Sequence, residues 1–217
     1  MRYLALLATI FLAACSPQNA PDINKSLNEE EFAGLETIGD SYESTALNYE
    51  LDAKDGSLIN FTSCSDVENT HKESVKEDQF PLFIMLVRNC QALNVFFKGQ
   101  NSSATFLPNT LSSEFIRNLP ATSIPYLGGE KPAESSETME KAYPNLKTQE
   151  ISPSVLQVQL DDMDINFTTL AKGDFNGDGI EDLLLRLDWT MTTAYGKGYD
   201  LLLIEADEKI KRITKRW

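Results

Sequence analysis

Histidine is almost missing from this chain, which has a single copy, His71, in 217 residues. That copy sits in the polar stretch VENTHKESVKED and reads as a solvated side chain rather than a general base. No G-x-S-x-G, H-E-x-x-H or phosphate-cradling glycine loop occurs, so the common hydrolase and nucleotide signatures are absent. Basic residues are outnumbered by 33 acids to 19, a net charge of −14. A surface so negative repels phosphate backbones, which disfavours nucleic acid as a partner, and it attracts cations. Cysteine is scarce, with three copies. What is present is ordinary for a folded chain: 41% hydrophobic and 24% charged residues, enough for one domain with a real core.

The N-terminus reads MRYLALLATIFLAA, one positive charge at Arg2 and then an apolar run to Ala14. Such a run is shorter than the roughly 20 residues a spanning helix needs, but it has the length of a signal-peptide core. It ends in Leu12-Ala13-Ala14-Cys15, which resembles the lipobox of bacterial lipoproteins. The resemblance implies cleavage before Cys15 and a diacylglyceryl group on its thiol. By resemblance to the Gram-negative sorting pattern, Ser16 points to the outer membrane. The polar segment SPQNAPDINKSLNEEE then suits a tether. In an oxidising compartment Cys64 and Cys90 are the two cysteines left, and they are expected to pair. Closing a loop of about 27 residues stabilises a fold by about 3.5 kcal/mol in the chain-entropy picture. Zinc is a poor rival, because two cysteines and one histidine do not make four ligands at familiar spacing.

Periodicity organises the rest. Residues 29–38 are expected to form a short helix. Residues 44–63 alternate as two strands about a turn at Asp55-Gly56, and residues 65–78 are polar. The clearest helix is 80–98, with Pro81 near its start, Phe83, Leu86, Val87, Cys90, Leu93 and Phe97 at helical spacing, and Gly99 as its stop. A second short helix is expected at 114–119, capped by Ser112 or Ser113. Residues 120–146 read as a surface connection with one helical turn at 138–143. From Val155 strands follow one another: 156–160, 165–169, 183–187, 201–204 and 209–216. With no helix-length interruption, they predict an antiparallel meander. The basic crowd Lys209, Lys211, Arg212, Lys215 and Arg216 reads either as a solvated strand face or as a patch for anionic lipid or an acidic partner. Trp189, Tyr195 and Tyr199 read either as packing or as a recognition surface.

One loop carries chemistry. Residues 173–182 are G-D-F-N-G-D-G-I-E-D, with oxygens at Asp174, Asn176, Asp178 and Asp182. Calcium wants six to eight oxygens, and alternate residues of a tight loop can aim theirs inward. Gly179 permits the left-handed backbone that frees the Ile180 carbonyl. An EF-hand would need glutamate at its twelfth position, where Leu185 stands. The segment resembles instead the FG-GAP and VCBS-type calcium loop between two strands. That resemblance implies calcium on the side chains of Asp174, Asn176, Asp178 and Asp182 and the Ile180 carbonyl. It covers about 20 residues in one convincing copy, too few for a propeller; Asp52 to Gly56 is a poor echo. The rival reading is a plain Asn-Gly, Asp-Gly turn without metal. The acidic run Asp161, Asp162 and Asp164 is expected at the opposite end of the sheet.

The sequence thus reads as α+β: an N-terminal helical and stranded half linked by a disulfide, then a C-terminal antiparallel β-meander. Its divisions are a signal peptide (1–14), a lipidated cysteine and tether (15–28), a mixed region (29–146) and the meander (147–217). The function expected is that of a non-catalytic envelope lipoprotein. Lipid on Cys15 would hold it to the outer membrane, facing the periplasm, with an envelope or secreted protein as a further partner. Two other readings stay open at this point. One is an inhibitor or immunity protein against a secreted toxin or cell-wall hydrolase; the other is a carboxylate-dependent hydrolase with two facing acids about 5–9 Å apart.

Overall fold

The computed structural model describes residues 22–125, 127, 137–208 and 210–217. The expected signal peptide, Cys15, the first part of the tether, part of the 120–146 connection and Lys209 lie outside the described residues. In chain order, Ser26–Leu27 is strand β1, followed by a 3-10 turn at Glu29–Glu31. Leu35–Thr37 (β2), Ala46–Asp52 (β3) and Leu58–Ser63 (β4) form a three-stranded antiparallel sheet in that order. Four helices follow: α1 (Cys64–Asn69), α2 (Phe80–Lys98), α3 (Ser113–Arg117) and α4 (Met139–Ala142). Then come β5 (Lys147–Ser152), β6 (Val155–Gln159), β7 (Met163–Gly173), β8 (Asp182–Met191), β9 (Lys197–Ala206) and β10 (Lys211–Arg216). These six form an uninterrupted antiparallel meander, and β1 adds to β7 beyond the end of β6. The α+β class and the meander are as the sequence predicts.

Alternation explains why the sheet is buried on both sides. Leu183, Leu185, Leu187, Leu202 and Ile204 face one core, with Leu156, Val158, Ile165 and Phe167 beside them and α3 and α4 laid over them. Leu184, Leu201 and Leu203 face the other core, with the buried side of α2 and Leu47, Leu51 and Phe61 of the small sheet. Leucines in unbroken sequence therefore serve two layers, as strands covered on both faces do. A register shift in β7 between Thr169 and Ala171 turns Leu170 and Ala171 together toward the α2 side.

Helix α2 is where the pattern places it. Its segment Glu77–Lys98 has the length and mean hydropathy, 1.4, of a bilayer span. Here Phe83, Met85, Leu86, Cys90 and Leu93 are packed in the core, so hydrophobicity around its circumference reflects a position between two sheets. The expected disulfide is present: Cys64, first residue of α1, is bonded to Cys90 of α2. Gly99 ends the helix, though its φ of −74° needs no glycine. What excludes a side chain is space, because a Cβ there would lie 2.4 Å from the Phe175 ring.

Four local details differ from the expectation or add to it. Residues 29–38 are one 3-10 turn and β2 rather than a helix. Gly34, at φ 79°, turns the chain so that Leu35 pairs with Leu47. The polar stretch after β4 holds α1, started by a capping box in which Ser63 Oγ accepts the Asp66 amide and Asp66 accepts the Ser63 amide. β5 falls inside the meander expected at 147–217 but ahead of the strands marked by alternation, because Lys-Thr-Gln-Glu-Ile-Ser on a sheet edge needs no apolar alternation. Finally, residues 22–28, placed in the tether, are docked. Ile23 bridges to Ser102, and Ser26 and Leu27 pair with Lys172 and Ala171.

Candidate metal centre

Strands β7 and β8 pair as far as Gly173 and Asp182, and residues 174–181 close the hairpin. Gly177 and Gly179 have φ of 85° and 82°. L-residues with side chains pay a steric penalty in that region, so the two glycines are what permit the double reversal. Every oxygen-bearing side chain read from the sequence faces its own loop. Asp174 accepts the Gly177 amide on Oδ1 (2.6 Å) and the Gly179 amide on Oδ2 (2.9 Å). Asn176 Oδ1 accepts the Asp178 amide (2.8 Å), and Asp178 Oδ1 accepts the Ile180 amide (2.8 Å). Asp182 Oδ2 reaches back to the Phe175 amide (2.9 Å).

Burial and charge are uneven across this set. Asp174 is 4% and Asp182 1% exposed, whereas Asn176 and Asp178 stand in solvent. Among the described residues neither buried carboxylate has an ion-pair partner. Burial pushes the Asp182 carboxyl up to about 7, and the charges of Glu205, Asp178 and Asp174 push it the same way, against the Phe175 amide. The loop thus concentrates acid where water is scarce and the compensation comes from backbone amides rather than cationic side chains. Among the described residues no three Asp, Glu, His or Cys side chains already converge as a metal shell. The loop oxygens are instead engaged with loop amides.

The backbone on either side of Ile180 is held by Ala104, from the segment that follows α2. Ala104 donates to the Gly179 carbonyl (3.2 Å), and the Glu181 amide donates to the Ala104 carbonyl (2.9 Å). In that parallel bridge the N–H and C=O of Ile180 face away from Ala104, and its N–H donates to Asp178 Oδ1. The groups named from the sequence are all oxygen donors, three carboxylates, one amide and one backbone carbonyl, the type a hard cation takes.

Sequence reasoning missed the neighbours of this loop. Glu205 comes from β9, and Glu181 is 7% exposed and accepts from Thr105 Oγ1 at 2.7 Å. Nothing in the local pattern names residues 100–105 as the loop's support. The acidic turn Asp161-Asp162 lies at the far end of β7, where Met163 pairs with Met191. The turn Asp55-Gly56 is a β3–β4 hairpin bend in which Asp55 accepts from Ser57. His71 is exposed, as is Tyr195 at 93%.

Of the basic C-terminal crowd, Lys209 lies outside the described residues, and three of the other four have partners within the fold. Lys211 lies over the Phe115 ring, Lys215 over Trp217, and Arg216 turns inward to Asp200 (2.9 Å) and the carbonyls of Thr122 and Ile124. A second buried polar group sits on the α2 side of the sheet. Arg186 grips Asp188 with two bonds (2.6 and 2.9 Å) and donates to Asn89 Oδ1 and the Glu31 carbonyl. These contacts tie β8 to α2 and to the N-terminal turn. A polar cleft of about 210 Å³ is lined by Ser26, Asn28, Glu30, Thr169 and Lys172, with one carboxylate among its walls. A second hollow, about 260 Å³, carries Glu73 and Glu77 together with Lys54 and Lys72.

Comparison with protein-family models, with curated proteins and with solved structures finds no match for this chain.

Proposed function

We propose that this protein is an envelope lipoprotein, held to the outer membrane by lipid on Cys15 and facing the periplasm. Its folded domain binds calcium on the 174–182 loop and has a non-catalytic binding or structural role. The observation that carries the calcium reading is the pair Asp174 and Asp182, both buried, neither paired with a cationic side chain among the described residues. A carboxylate taken out of water and held by backbone amides alone keeps part of its desolvation cost, and a divalent cation in the loop would offset it. Asp174, Asn176, Asp178, Asp182 and the Ile180 carbonyl would hold it. The disulfide supports an oxidising compartment. The short link between Cys15 and the first docked residue, Asp22, reaches at most about 25 Å, so the domain would ride close to the bilayer.

Two measurements test this. Cells fed radiolabelled palmitate should yield labelled protein from the parent and none from Cys15→Ala; an unlabelled parent removes the lipoprotein reading. Calorimetric titration of the purified chain with calcium should give a dissociation constant on the order of 10⁻⁴–10⁻³ M. Absence of heat and of any thermal stabilisation at millimolar calcium would leave the loop a plain turn.

A further inference from the structure

Residues 99–105 lie between two segments that are remote in sequence. On one side they hold the 174–182 loop. Gln100 and Asp174 exchange both backbone hydrogen bonds (2.9 and 3.0 Å), the Ser103 amide and hydroxyl both donate to the Gly179 carbonyl (2.8 and 3.0 Å), and Thr105 binds Glu181. On the other side they hold the N-terminal segment. Ile23 and Ser102 exchange two bonds (2.7 and 2.9 Å), and Asn101 accepts from the Lys25 amide while donating to Asp22 and Asn24. The Lys25 ammonium donates to the Phe96 and Gly99 carbonyls at the end of α2 (2.9 and 2.8 Å) and lies over the Phe96 ring.

The junction is close-packed at its centre. A Cβ on Gly99 would sit 2.4 Å from the Phe175 ring, and one on Gly173 would sit 2.8 Å from Lys25 Cβ. Real Cβ atoms do not approach so near, so glycine at positions 99 and 173 is what lets strap, loop and N-terminal segment pack in contact.

We infer that residues 99–105 are a strap coupling the 174–182 loop to residues 22–25, so that the state of the loop decides how firmly the N-terminal segment is docked. Asp174 is the link. Its side chain organises the loop through Gly177 and Gly179, and its backbone forms the bridge to Gln100. A cation that orders the loop also orders the strap and, through it, the point where the chain leaves toward Cys15. By linkage, docking of residues 22–25 raises the loop's affinity for the cation by the same factor. The metal part of this inference rests on the calcium reading above; the mechanical part does not.

Hydrogen exchange read by mass spectrometry on the full chain in detergent tests both parts, following peptides over 22–25, 99–105 and 174–182, with β3–β4 as control. Asp174→Asn is expected to speed exchange in all three peptides by roughly tenfold or more while the control keeps its rate. Millimolar calcium chloride is expected to slow all three in the parent. Loosening of 174–182 alone, with 22–25 exchanging as in the parent, would overturn the coupling. If calcium changes nothing in the parent while Asp174→Asn still frees 22–25, the coupling stands and the calcium reading falls. Lys25→Ala approaches from the other end and covers the case in which Asp174→Asn does not fold. It should speed exchange at 174–182, and an unchanged rate there counts against the strap.

Discussion

The carboxylate of Asp182 reaches back across the hairpin loop and accepts the amide of Phe175 at 2.9 Å, so the last acid of the loop fastens its second residue. Asp182 is 1% exposed, and its neighbours in charge are other acids, Glu205, Asp178 and Asp174. That relationship makes the loop sensitive to protons and underlies the proposed cation binding.

Proton sensitivity has a definite sign. The Asp182 carboxyl is raised from 3.8 to about 7, so the folded state holds its proton more tightly than the unfolded chain. The stabilisation from protonation is full below about pH 4 and is lost as pH rises through about 7, amounting to at most about 4 kcal/mol. In chelator, the parent should therefore melt at lower temperature at pH 8 than at pH 5, and Asp182→Asn should flatten that part of the curve. Equal slopes in both proteins would show that Asp182 is not the group responsible.

Calcium should act oppositely at neutral pH. At ten times the dissociation constant, ligation stabilises by about 1.4 kcal/mol, or a few degrees in Tm for a domain of this size. Asp174→Asn and Asp182→Asn should each abolish the shift in differential scanning fluorimetry. A shift that survives both variants would mean that calcium acts elsewhere.

The disulfide closes a loop with a sequence separation of 26. Replacing Cys64 and Cys90 together by alanine should cost about 2–5 kcal/mol in urea unfolding. A change under about 1 kcal/mol would indicate that α1 and α2 keep the unfolded chain constrained without it.

Arg186 has a 6% exposed side chain, and it satisfies Asp188, Asn89 and the Glu31 carbonyl at once. Arg186→Met should cost about 3–5 kcal/mol, since it leaves a carboxylate facing α2 without its partner. Adding Asp188→Leu should restore part of that stability. A double variant worse than the single one would mean that the pair's geometry matters less than the contacts of Asp188 alone.

Much of this architecture is legible in the residues. Phe83, Leu86, Cys90 and Leu93 mark α2, and alternation in 183–187 and 201–204 marks strands of the meander. These are periodic signals carried by many residues, which tertiary context rarely reverses. The loop is equally legible, since alternate oxygens and two glycines state their own geometry. α1 was missed although Ser63 and Asp66 spell its capping box, because its apolar content is Cys64 and Val67 alone. Residues 29–38 were misread because three glutamates favour a helix start, whereas Gly34 and the pairing of Leu35 with Leu47 favour a strand. β5 carries no alternation, since an edge strand buries little.

The amino-acid sequence alone determines the class of fold, the partner of each disulfide cysteine and the oxygen-rich hairpin, because each follows from short-range spacing or from elimination. Only the folded chain decides that residues 22–25 rest on 99–105, that 99–105 rest on the loop, and that Phe175 demands a glycine at position 99. Those contacts join segments more than 70 residues apart through backbone bonds and bare space, neither of which leaves a mark in composition or periodicity.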